Sequence, residues 1–155
     1  MPHRFLCGTT LNCTIGAFLS EHKNDKDCTL FGFILPPFQR GSVWNQDQQI
    51  KFMESVWLQL PIGSYMVNMR WDMGEFDNWL LDGQQRMRAL KSYLNNEFSV
   101  FGYFFSEITE IDKRRFRNLP FPRIEVDCND LDRLKEIYNR FNFGGTPHKP
   151  EEMAK

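Results

Sequence analysis

The chain reads as one α+β domain, and three observations predict that class. Short alternating apolar runs are interleaved with apolar stripes at i, i+3 and i+7 spacing. Proline and glycine punctuation cuts these into separate elements. The composition, 41% hydrophobic and 25% charged, is that of an ordinary globular protein. At 155 residues the chain suits one domain with a real core and would crowd two. Aromatic residues reach 15%, led by 15 Phe, which favours a folded chain over a disordered one.

In chain order, residues 1–20 are mildly apolar (Phe5, Leu6, Leu11, Ile15, Phe18, Leu19) and predict a strand and a short helix. Glu21 to Asp27 is an unbroken polar run with no face to bury, hence a solvated loop. Thr29 to Leu35 alternates weakly as one strand, stopped by Pro36-Pro37. A helix over 46–60 follows, with Asn45 and Gln48 as a capping box, Ile50, Met53, Val56, Trp57 and Leu60 as its apolar stripe, and Pro61 as its stop. Ser64 to Arg70 alternates as a strand with Tyr65, Val67 and Met69 on one side. A polar, hairpin-like connection over 72–78 leads to the strand Trp79–Leu81. A helix over about 85–95 carries Met87, Leu90 and Leu94 on one face. The aromatic run Phe98 to Phe105 is strand-like. Thr109 and Asp112 open a short basic helix that ends before Pro120, and Phe121 to Val126 is a further strand. Asn129 then caps a helix in which Leu131, Leu134, Ile137, Tyr138 and Phe141 share one face, ended by Gly144-Gly145.

Composition excludes several function classes. A net charge of −1 gives no global basic field, so any nucleic-acid surface must be a local patch. Cys7, Cys13, Cys28 and Cys128 form no Cys-x-x-Cys pair and have no His at finger spacing, so no metal site is assigned. His3, His22 and His148 lie outside every motif. The N-terminus does not read as a secretory signal and no apolar run approaches membrane length, which predicts a cytoplasmic protein without a membrane partner.

The most informative segment is Leu80-Leu81-Asp82-Gly83-Gln84-Gln85-Arg86. A buried strand there delivers its end to the start of a helix, where unpaired backbone N–H groups and the helix dipole favour an anion. Gly83 allows close backbone approach, and Arg86 has the donor fork that grips phosphate oxygens. A surface turn into an ordinary helix is the alternative. Gln39 and Gln84 carry amides suited to a base edge, a ribose or a positioned water, and Gln85 either does likewise or caps the helix. Asp82 either holds Mg²⁺ through a water, or orients an attacking water, or forms an Asx turn at the bend. Trp44 either stacks on a base or anchors the start of the helix that follows it. Lys113, Arg114, Arg115 and Arg117, with Phe116 embedded, are the dense basic run, either a contact for nucleic-acid backbone or a solvated helix face.

Three motifs in order, Gln39-Arg40 with Trp44, then Asp82-Gly83-Gln84-Gln85-Arg86, then Asn142 through Gly144-Gly145-Thr146-Pro147, resemble the N-terminal domain of GmrSD-type restriction enzymes, within the ParB/sulfiredoxin superfamily. The resemblance covers Phe31 to Met153. It implies a small mixed sheet with packed helices over residues 31–155, with residues 1–30 as an extension of the same domain. It also implies a bound nucleoside triphosphate, with Mg²⁺ as its companion where hydrolysis occurs. The nucleotide-binding set is then Gln39, Arg40, Gly83, Gln84, Gln85, Arg86, Asn142, Gly144 and Gly145. Asp82 and Gln84 are the candidates for triphosphate hydrolysis. The His-Asn-His nuclease segment of the large enzymes has no counterpart here, so the expectation is a nucleotide-handling half whose partner is a separate nuclease subunit or a host protein, in a bacterial or phage setting. The competing expectation is a non-catalytic module that senses a nucleotide or modified DNA, or blocks a restriction system. Direct modification or nicking of DNA ranks last, because no nucleophile–base pair is apparent.

Overall fold

The computed structural model describes residues 7–19, 25–39, 41 and 43–143. Strands β1 (Cys7–Leu11), β2 (Thr29–Leu30), β3 (Phe33–Ile34), β4 (Tyr65–Asn68), β5 (Trp79–Asp82) and β6 (Arg123–Val126) form one sheet in the order β1-β6-β4-β5-β3-β2. Helices α1 (Gly16–Leu19), α2 (Gln46–Trp57), α3 (Gln84–Leu94), α4 (Glu110–Asn118) and α5 (Leu131–Phe143) pack on it. The sheet is mixed: β4 runs parallel to β6 and antiparallel to β5, and β5 runs parallel to β3. The α+β class and the small mixed sheet match the sequence expectation.

Burial explains the centre of the sheet. On one face Tyr65, Val67 and Leu80 join the large core with Phe18, Met53, Met87, Leu90, Phe116 and Phe121. On the other, Met66, Leu81 and Val126 pack against Leu134 and Ile137 of α5. All four β4 residues are therefore buried, rather than one alternate set. A strand covered on both faces must satisfy any polar side chain internally. Asn68 does so, donating to the Phe76 and Cys128 carbonyls at 2.8 and 2.9 Å and accepting from the Cys128 amide at 2.9 Å.

Local departures from the sequence reading have local causes. Thr29–Leu35 is two short strands, because Phe31 (φ 51°) and Gly32 (φ 78°) make a tight hairpin with φ positive at both positions. The Phe98–Phe105 run contributes only a bridge between Val100 and Tyr103, then a 3₁₀ turn over Phe105–Glu107. Phe98 and Phe105 pack on Tyr93, and Phe105 also on Phe116, in the helical layer instead of on a neighbouring strand, while Phe101, Tyr103 and Phe104 are exposed. Helix α2 keeps the Asn45–Gln48 capping box but ends at Trp57, since Gln59 turns left-handed (φ 57°) and leaves Leu60 exposed. The α5 cap is Asp130, not Asn129: its carboxylate accepts from the Asp132 and Arg133 amides. The predicted Gly144-Gly145 stop lies outside the described residues.

Asp25 overturns the solvated-loop reading at its own position. Its side chain is only 2% exposed and accepts from the Phe31 and Gly32 amides at 2.8 and 2.9 Å and from Lys91 Nζ at 2.8 Å. The carboxylate organises the β2–β3 hairpin and ties it to α3. Among the described residues no helix is long and apolar enough to cross a membrane.

Candidate functional site at the start of helix α3

Strand β5 ends at Asp82 and α3 begins at Gln84, with Gly83 as the hinge at φ 103°, ψ 8°. That left-handed backbone requires glycine. A Cβ at Gly83 would also lie 2.7 Å from the Tyr65 Cβ, so the position is closed to side chains twice over. No side chain caps the helix. Its first intrahelical bond runs from the Met87 amide to the Gly83 carbonyl. The preceding first-turn amides have no intrahelical acceptor and carry the positive end of the dipole.

Arg86 is built into the scaffold. Nη1 donates to the Ile62 carbonyl at 2.8 Å, and Nη2 donates to the Ser64 carbonyl at 2.8 Å and to Asp82 Oδ2 at 3.1 Å. Three of the five guanidinium donors thus hold the loop before β4 and the end of β5 against the helix start. The group also sits 5.7 Å above the Phe121 ring. Burial pushes the Asp82 carboxyl above its ordinary range, more strongly than Arg86 and the Gly83 amide pull it down. Burial likewise lowers Arg86, against the pull of Asp82. The pair is a mutually neutralised ion pair. One Nη1 hydrogen and the Nε–H remain for a ligand.

The two glutamine-containing motifs are hydrogen-bonded to each other's surroundings. Gln85 Oε1 accepts from the Val43 and Trp44 amides at 3.0 and 3.3 Å, while its Nε2 donates to the Gly41 carbonyl at 3.1 Å. It staples the 41–44 segment to α3, a role that neither sequence alternative contained. Gln39 Nε2 donates to the Leu80 carbonyl, and its Oε1 is buried without a hydrogen-bond partner. Trp44 packs on Phe52 of α2 with centroids 5.6 Å apart, the anchoring arrangement. Among the described residues, Gln84 makes no side-chain hydrogen bond and is the motif glutamine left open to a ligand.

Around this junction lies a cavity of about 160 Å³, lined by Gln39, Trp44, Gly83, Gln84, Arg86 and Tyr138 among others. It brings together six of the predicted site residues: Gln39, Asp82, Gly83, Gln84, Gln85 and Arg86. Arg40, Gly144 and Gly145 lie outside the described residues, and Asn142 is described only as backbone of α5. Tyr138 lines this cavity and was missed by the sequence reading. Its place on the apolar stripe of α5 reads as core, and its ring does meet Phe38 edge-on at 5.3 Å while also lining the cavity. The volume is below the roughly 300–1,000 Å³ of typical small-molecule pockets and suits the phosphate portion of a ligand.

The basic run is separate, on α4. Lys113 pairs with Glu110 at 2.8 Å and Arg115 with Asp112 at 3.4 Å, so half its charge is answered on its own helix. Phe116, the aromatic embedded in that run, is fully buried under Trp57 and Tyr93.

No curated protein sequence matches the chain. Among solved structures, the fold is similar to the C-terminally truncated chromosome-partitioning protein ParB from Caulobacter crescentus, crystallised with CTP-γ-S, at 12% identity and a TM-score of 0.47. That likeness covers 91% of this chain and 56% of the ParB chain, so the present chain spans little more than half of that protein. Over residues 15–155 the sequence matches the family described as GmrSD restriction endonuclease, N-terminal domain, and the chain belongs to that family.

Proposed function

We propose that the domain binds a nucleoside triphosphate at the start of α3, as the nucleotide-handling part of a restriction system. The observation that carries this reading is the uncapped α3 N-terminus opening into a cavity that also holds the unpartnered Gln39 Oε1 and the open Gln84 amide. Phosphate oxygens meet the first-turn amides and the remaining Arg86 donors. Trp44 and Tyr138 supply aromatic walls beside them, and Gln39 and Gln84 meet the base or ribose. Arg40, Asn142, Gly144 and Gly145 complete the proposed set. Cutting of DNA is assigned to a separate nuclease part, with Lys113, Arg114, Arg115 and Arg117 as the local contact for DNA.

A second reading, binding without turnover, is favoured by one observation. The Asp82 carboxylate, the candidate for Mg²⁺ or for the attacking water, is already paired with Arg86. Calorimetric titration with each of the four ribonucleoside triphosphates, with and without Mg²⁺, tests binding. Gln84→Glu is the informative variant, because an acid in the first turn suits the helix dipole yet repels phosphate. The expected result is at least a tenfold loss of affinity with an unchanged or higher melting temperature. Equal binding by both proteins, or no binding by wild type, removes the phosphate assignment. Phosphate release then separates the readings: turnover that drops at least about tenfold in Gln84→Ala supports hydrolysis, and tight binding without release supports the module.

A further inference from the structure

A second cavity, of about 410 Å³, lies along the flank of α3. Arg88, Lys91 and Ser92 of α3 and its C-cap residue Asn95 recur at helical spacing and form one polar stripe, while Met87, Ala89, Leu90 and Tyr93 are buried. The stripe faces Thr29 on the β2–β3 hairpin and Gln49 of α2 across this cavity. None of its lining residues lines the cavity at the start of α3.

Arg88 is the anomaly. Its guanidinium is half-buried, its Nε is fully buried with no acceptor, and burial alone depresses its pKa. Its natural counter-ion on this wall, Asp25, is already occupied by Lys91 and two backbone amides. Asp27 and Glu97 also line the cavity, yet neither forms an ion pair with Arg88 among the described residues. A desolvated guanidinium without a partner is costly, and its planar fork is matched by a carboxylate or a phosphate. We infer that this cavity is a binding site for a small oxyanion, a phosphate- or carboxylate-bearing molecule, gripped by Arg88. The carboxylates of Asp27 and Glu97 and the groups of Gln49, Thr29 and Ser92 select ligands that also carry hydroxyl or amino donors.

The test is an NMR titration of the ¹⁵N-labelled chain at low ionic strength, with inorganic phosphate in one arm and sodium acetate in the other. The expected result is saturable movement of the Arg88 Nε–H resonance and of the Arg88, Lys91 and Ser92 amides. Arg88→Gln should weaken that response at least tenfold, and Arg88→Lys by less. A response to only one salt identifies the oxyanion. Wild-type affinity in Arg88→Gln overturns the inference, as does an immobile Nε–H resonance in wild type with both salts. The latter reading needs no variant to fold. Because the shifts are followed residue by residue, movement confined to residues 83–86 reports the nucleotide site and counts against this one.

Discussion

Arg86 and Arg88 stand two residues apart on the same helix and have opposite fates. Arg86 meets two backbone carbonyls and a carboxylate. Arg88 meets no acceptor at its buried Nε, although a far larger cavity lies beside it. The sequence motif gives prominence to the first and is silent about the second. The contrast separates two uses of a buried charge: a group with most of its donors bonded fixes backbone geometry, and one without an acceptor at its buried nitrogen leaves its fork for a ligand. Arg86 therefore contributes to the proposed nucleotide site chiefly by shaping it.

The largest expected effect breaks the comparison if it fails. Arg86→Ala leaves the Ile62 and Ser64 carbonyls and the partly buried Asp82 carboxylate without their donor, and should cost about 3 kcal/mol of stability. Arg88→Ala removes no partner and should cost less than about 1 kcal/mol, the packing of its stem. Urea unfolding of both variants decides it. Equal losses would mean that Arg88 is held in the scaffold as firmly as Arg86. An Arg86→Ala loss in nucleotide affinity is interpretable only beside this measurement.

Asp25 sharpens the comparison from the acidic side. Two backbone amides, Lys91 and, at 3.4 Å, the Thr29 hydroxyl converge on it, so Asp25→Ala should cost about 2 kcal/mol at neutral pH. Burial raises its pKa, but Lys91 and the Gly32 and Phe31 amides outweigh burial and leave it below the ordinary value of 3.8. A carboxyl with a depressed folded pKa contributes stability above its unfolded value and loses it as pH falls through the folded value. The difference between wild type and Asp25→Ala should be full at pH 7 and shrink below about pH 4. A constant difference down to about pH 2 would show that the charge of Asp25 is not what holds the hairpin.

These same groups mark where the sequence was legible. The apolar stripes of α2 and α3 and the Leu134–Ile137–Tyr138 centre of the α5 stripe were readable because helical periodicity records which face is buried, whereas the alternation of β4 showed a strand but not that both its faces are covered. The β5–Gly83–α3 junction was readable because only glycine fits φ 103° against Tyr65. Long-range pairing of polar groups leaves no periodic trace. Nothing local says that Gln85 reaches back to residues 41–44, that Lys91 finds Asp25 across 66 positions, or that the buried Nε of Arg88 finds nothing. The sequence reading drew attention to the Asp82–Arg86 segment, but not to the fact that its two charges answer each other.

The smallest expected effect asks whether a missing partner is by itself a sign of function. Tyr65 is fully buried, and its hydroxyl has no hydrogen-bond partner, like the Nε of Arg88. It lines neither the cavity at the α3 start nor the one along its flank, and its ring packs on Phe18, Phe33 and Phe121. Burial, only partly offset by nearby Arg123, pushes its pKa up to about 12. If an unpaired group without a cavity is a packing compromise, Tyr65→Phe should leave stability unchanged or raise it by up to about 1 kcal/mol. The pH signature fixes the sign. An acid whose folded pKa lies above its unfolded value of 10 binds more protons when folded, so wild type loses stability as pH rises from 10 towards 12. The Phe variant lacks that loss, and its advantage should widen over the same range. A stability loss beyond about 1 kcal/mol at pH 7 would mean that the hydroxyl is held by Arg123 or water, whereas the neutral or stabilising result means that an unpartnered atom in this fold identifies a site only where a cavity adjoins it.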